Sequence, residues 1–167
     1  MFDVTEWLEK HAYGYENLSG KERQAITGFS ILWSLFEAQA LGTSANVPKI
    51  VEKCKNLCEP IGRVRECHFS DSLAYFQWRY TKDGAVNHLF DNLHLPKGDA
   101  QKLVKKVILR NEPTTAYKLA ACLIIVYRYR NNYFHGIKWA TEFRDQQKNF
   151  EESNKLLAFV LDQLNEG

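Results

Sequence analysis

This chain lacks any apolar run long enough to cross a membrane. Its longest, Leu119 to Tyr127, is nine residues, against roughly 20 for a bilayer-spanning helix. It lacks strong charge of one sign: 22 Lys and Arg face 20 Asp and Glu, a formal net charge of +2. No global field therefore draws in polyanions, and any such contact must come from a local patch or from a site assembled between subunits. The opening Met1-Phe2-Asp3-Val4-Thr5-Glu6 has neither the basic start nor the apolar stretch of a secretion leader. A soluble, cytoplasmic protein with its four cysteines reduced is the expectation. Also missing are a Gly-rich phosphate loop, a nucleophile elbow and a zinc-protease motif. No internal repeat, low-complexity segment or linker stands out. No alternating strand pattern is convincing; Val64 to Phe69 is the one short candidate.

What is present is helical periodicity. At 167 residues, with 45% apolar and 13% aromatic side chains, the chain can bury a sizeable core without disulfides or metals. Thr5 is placed to cap a short first helix around Trp7 and Leu8. Ser19, with Glu22 three residues on, makes a capping box. The stripe Ile26, Phe29, Trp33, Phe36, Ala40 follows, and Gly42 is a natural stop. Gly28 within that stripe either weakens the helix or permits a close crossing. Asn46 and Pro48 open a third helix to about Cys58, and Glu59-Pro60-Ile61-Gly62 breaks the chain. Ser70 or Asp71 starts a fourth, ended by Lys82-Asp83-Gly84, and Ala85 to Asp99 is ambiguous. A helix from about Asp99 to Arg110 carries Leu103, Val107 and Ile108 inward and Lys102, Lys105, Lys106 and Arg110 outward. Pro113 and Thr114 open a long apolar helix through Tyr117, Leu119, Ala120, Leu123, Val126 and Tyr127 to Arg130, and a last helix begins near Thr141. The expectation is an all-α domain over 1–167, a bundle of about four long helices with additional short ones.

The chemistry gathers at Arg130-Asn131-Asn132-Tyr133-Phe134-His135-Gly136. A permanent cation, an amide and the side chain that titrates near neutral pH lie within six residues. Phosphodiester chemistry uses that mixture, with the cation offsetting phosphate charge and the imidazole moving the proton. On an ideal helix Asn131 and His135 share a face, while Arg130 and His135 are roughly 140° apart. Arg130 is in phase with Leu119, Leu123 and Val126, so it starts from the buried stripe, where a cation needs a partner or an opening.

Arg130-Asn131-x-x-x-His135 followed by glycine resembles the motif of the HEPN superfamily (higher eukaryotes and prokaryotes nucleotide-binding domains). The fuller string Tyr127 to Lys138 is similar to the Arg-Asn-Asn-Leu-Phe-His-Gly-Gly-Lys version of bacterial stand-alone members, with Tyr133 for the leucine and Ile137 for the second glycine. Trp33-Ser34-Leu35-Phe36-Glu37 likewise resembles the family's Trp-x-x-Phe-Glu, so the anchors span roughly Ser19 to Lys138. The resemblance implies a metal-independent, cofactor-free endoribonuclease of a toxin–antitoxin or phage-defence system. Two protomers would pair so that both motifs line one cleft, and an antitoxin or regulatory protein would accompany them. Arg130 would polarise the scissile phosphate, His135 would act as general base or acid, and Asn131 would orient one or the other. Glu37 and Tyr133 would support the site, with Glu37 positioning Arg130 across the bundle. Arg128, Lys102, Lys105, Lys106 and Lys138 are candidate contacts to the RNA backbone.

Other readings stay open. Arg130 pairing with a core carboxylate such as Glu37, and Asn131 and His135 terminating the helix, would make a non-catalytic module that binds RNA, a nucleotide or a protein. Cys54, Cys58, Cys67 and His68 are four possible zinc ligands, but their spacing is no standard zinc pattern and helix-borne cysteines commonly pack. Cys122 reads as a buried apolar residue. His11, His88 and His94 have no partner spacing that argues for catalysis.

Overall fold

In the computed structural model, which describes residues 1–59, 63–134 and 146–166, side-chain caps set the starts of the first three helices. The elements are α1 (Val4–His11), α2 (Gly20–Leu41), α3 (Val47–Cys58), α4 (Ser70–Tyr80), strands β1 (Thr81–Lys82) and β2 (Ala85–Val86), α5 (His88–Asp91), α6 (Asp99–Ile108), α7 (Thr115–Phe134) and α8 (Gln147–Asn165). The fold is all-α apart from the small β1–β2 hairpin. Among the described residues no helix is long and apolar enough to cross a membrane.

The capping box at α2 forms in full: Ser19 Oγ accepts from the Glu22 amide while Glu22 Oε2 accepts from the Ser19 amide. Gly42 ends that helix in the left-handed region, at φ 61°. Asn46 caps α3, with Pro48 in its first turn. Three details depart from the sequence expectations. Asp3, not Thr5, caps α1, its carboxylate accepting from both the Thr5 and Glu6 amides. Val64 to Phe69 is not a strand but holds a 3₁₀ turn over Glu66–His68. Helix α4 stops at Tyr80, and the strands flank an Asp83-Gly84 turn with both residues at positive φ, which suits a tight hairpin. The expected helix start near Thr141 lies outside the described residues.

Helices α2 and α8 form the most extensive packing pair. Gly28 leaves room for one close contact in it: a Cβ there would meet Asn154 Nδ2 of α8 at 3.0 Å, and that amide donates to the Ala25 carbonyl at 2.9 Å. Helices α3, α4 and α6 pack against α7. One apolar cluster unites Phe29, Trp33 and Phe36 of α2 with Phe76, Val104 and Leu157 of α4, α6 and α8. At its centre every residue of α7 from Leu119 to Val126 is buried. Helix α6 turns Val104, Val107 and Ile108 inward, whereas Leu103, expected in the core, is half-buried.

Candidate functional site

Apolar all round, α7 makes an interior helix, and its polar end begins at Tyr127. Four successive side chains there reach three parts of the fold, Tyr127 and Arg130 both meeting the α2 side at Trp33 and Glu37. The Tyr127 hydroxyl donates to the Ala45 carbonyl in the α2–α3 loop at 3.2 Å, and its ring stacks on Trp33, centroids 5.7 Å apart. Arg128 Nε donates to the Leu93 carbonyl at 2.9 Å, between α5 and α6. Tyr129 turns into the interior towards α4 and α8. Arg130 faces α2, its Nη2 3.8 Å from Glu37 Oε2, with the two side chains 30% and 21% exposed.

The Glu37 carboxylate is held independently of Arg130. Its Oε1 accepts from the Ala45 amide at 2.9 Å and its Oε2 from the Trp33 indole N–H at 3.3 Å. A carboxylate fixed by two neutral donors sits at the long end of ion-pair range from a guanidinium that is still partly open to solvent. Asn131 is buried, and its Oδ1 accepts from Arg130 Nη1 at 3.1 Å. Asn131 and Glu37 thus orient the Arg130 head from two directions. The arrangement presents one cation, positioned before any ligand arrives, which suits the binding of a phosphate oxygen.

The other expected residues are distributed more widely. His135 and Lys138 lie outside the described residues. Tyr133 meets Ser30 of α2 and the Phe150 ring, with ring centroids 6.0 Å apart. Arg128 donates its Nε to the Leu93 carbonyl, and burial lowers its pKa. Lys102, Lys105 and Lys106 are exposed on α6 beside Tyr117. Tyr117 precedes Arg130 by thirteen residues of α7, roughly 20 Å along a helix. No group of three or more metal-ligating side chains comes together among the described residues. Cys54 is buried, Cys67 is exposed, and His68 packs on Phe159.

A cluster of tyrosines behind the motif carries no local sequence signal. Tyr80 and Tyr129 hydroxyls hydrogen-bond to each other. Tyr129 also donates to Asn149 Oδ1 at 3.2 Å, and Tyr75 donates to the same oxygen at 2.8 Å. Asn149 Nδ2 donates to Gln146 Oε1 at 2.6 Å. Burial pushes the Tyr80 phenol up to about 12 and raises Tyr129 well above the usual tyrosine value. All three phenols are therefore protonated at neutral pH and act as donors. They fix the helix turn preceding Arg130 against α4 and α8.

No protein-family model, curated protein or solved structure matches this chain.

Proposed function

We propose that this chain is a metal-independent endoribonuclease that works as a homodimer. The observation that carries the reading is the Arg130 head, partly open to solvent and oriented by Glu37 and Asn131, at the start of the Arg-Asn-x-x-x-His string. In the proposed reaction Arg130 binds a non-bridging oxygen of the scissile phosphate. His135 takes the proton from the adjacent 2′-hydroxyl, whose oxygen attacks phosphorus. The bond to the 5′-oxygen breaks, and that oxygen gains a proton from the imidazolium of one protomer or the other. The products are a 2′,3′-cyclic phosphate and a 5′-hydroxyl. DNA is excluded because it lacks the attacking group. Pairing of two protomers doubles the local positive charge, which a chain of net charge +2 needs to hold a polyanion. A role in a toxin–antitoxin or phage-defence system, with an antitoxin or regulator as partner, belongs to the same proposal.

The Arg130–Glu37 contact also favours a second reading, in which the pair is structural and the protein binds RNA, a nucleotide or another protein without cleaving. One experiment separates the two. Purified protein, His135→Ala and Arg130→Ala are incubated with RNA in EDTA and the product ends are mapped. The ribonuclease reading expects cyclic-phosphate ends from the wild type alone, with both variants folded. Equal behaviour of wild type and His135→Ala, or no cleavage of several RNAs, rejects it; abolition by EDTA rejects the metal-free mechanism.

A further inference from the structure

Helices α3 and α6 both lie on α7 but scarcely touch each other. The space between them is a groove of about 650 Å³, within the range of small-molecule sites. Its apolar floor is Val47 and Val51 of α3, Leu103 of α6 and Leu109 just past its end, and Tyr117 of α7, all half-buried. This explains why Leu103 is not in the core: it covers one wall of the groove. Lys102, Lys105 and Lys106 stand around the rim, against Asp99 and Glu112. Glu112 is engaged, its Oε1 accepting from the Thr114 amide at 3.0 Å. Among the described residues none of the three lysines has an ion-pair partner. Lys55 adds a fourth ammonium, 5.3 Å from the centre of the Tyr117 ring.

An apolar trough edged by uncommitted cations fits one ligand chemistry. We infer that the α3–α6 groove binds a small amphiphilic anion, its apolar body on Val51, Leu103 and Tyr117 and its carboxylate or phosphate head among Lys102, Lys105 and Lys106. The charged rim and the volume together argue the occupant: three lysines without ion-pair partners among the described residues edge a groove the size of a small-molecule site. The site lies at the opposite end of α7 from Arg130 and stands independently of the ribonuclease reading.

The test is calorimetric titration of the full chain with dodecanoate and with dodecyl phosphate below their micelle concentrations. Dodecyltrimethylammonium supplies the same tail with the opposite head. Saturable one-to-one binding of either anion is expected, at least about tenfold tighter than that of the cation. Leu103→Asp should weaken it by about tenfold or more, because a charge would meet the apolar body. Val51→Asp provides the same test from the other wall if Leu103→Asp fails to fold, and reversal of the three lysines to Glu should weaken binding similarly while leaving the floor intact. The ratio of the two anions tells a carboxylate head from a phosphate head. Absence of saturable binding, equal affinity for the cation, unchanged binding by variants with native circular dichroism, or displacement of the anion by an RNA oligonucleotide would each overturn the inference.

Discussion

Removing the Glu37 carboxylate is the sharpest perturbation of the candidate site. Glu37→Ala leaves the Ala45 amide and the Trp33 indole N–H without their acceptor and takes the carboxylate from beside Arg130. Hydrogen bonds to a charged group contribute about 1.5–3 kcal/mol when buried, and water entering the half-open site recovers part of that. The Arg130 contact, at 3.8 Å and partly exposed, contributes under about 1 kcal/mol. The expected loss is about 3 kcal/mol, or roughly 6–12 °C in Tm for a domain of this size. Glu37→Gln keeps an acceptor for the Ala45 amide but turns an NH₂ towards the Trp33 indole and Arg130, so it should lose about half as much. A double-mutant cycle with Arg130→Ala, read by urea denaturation, should give a coupling of about 0.5–1 kcal/mol. A Glu37→Ala variant within about 1 °C of wild type, or a cycle with no coupling, would refute the view that Glu37 both closes the α2–α3 loop and positions Arg130.

Tyr129→Phe should cost about 1–3 kcal/mol, because the Tyr80 hydroxyl loses its buried partner; the shift in urea midpoint measures it. The Tyr80 phenol, near 10 when unfolded and about 12 when folded, contributes stability that is complete below pH 10. That contribution, roughly 3 kcal/mol, falls away as pH rises from 10 towards 12, so the denaturation midpoint should drop across that window and drop less in Tyr80→Phe. Thiol labelling of the native protein should modify Cys67 first and Cys58 more slowly. Cys54 and Cys122, both buried, should react only on unfolding; prompt labelling of either would contradict the packing of α3 against α7.

Elements set by neighbouring residues were legible in the sequence. Ser19 with Glu22, Gly42, and Asn46 with Pro48 each specify a helix end through contacts made within six residues. Asp3 and Thr5 show where that legibility stops: both are good caps, and Asp3 wins by satisfying two amides at once. Asp83-Gly84 reads equally as a helix stop or a hairpin turn, because strands of two residues carry too little alternation to tell. Leu103 and Val104 are adjacent apolar residues on α6, and only the positions of α3 and α7 decide which one is covered. At the candidate site the Glu37–Arg130 approach was foreseeable, because Arg130 is in phase with a buried stripe and needs a partner such as Glu37. The link from Tyr129 through Asn149 to Tyr75 was not, because it joins α4, α7 and α8 across long sequence separations and no local pattern encodes it.

The four outward reaches of Tyr127, Arg128, Tyr129 and Arg130 bear on how an interior helix knows which way to turn. A cylinder apolar on every side has no polar face to fix its rotation, so until its polar end is reached only the fit of its side chains does so. Steps of about 100° per residue spread these side chains around the axis, Tyr127 and Arg130 to the α2 side, Arg128 to the Leu93 carbonyl and Tyr129 to α4 and α8. A rotation by one position would misalign all four together. The bearing of the Arg130 head is therefore locked like the tumblers of a combination, and a single substitution among its neighbours loosens the dial without unseating the shaft.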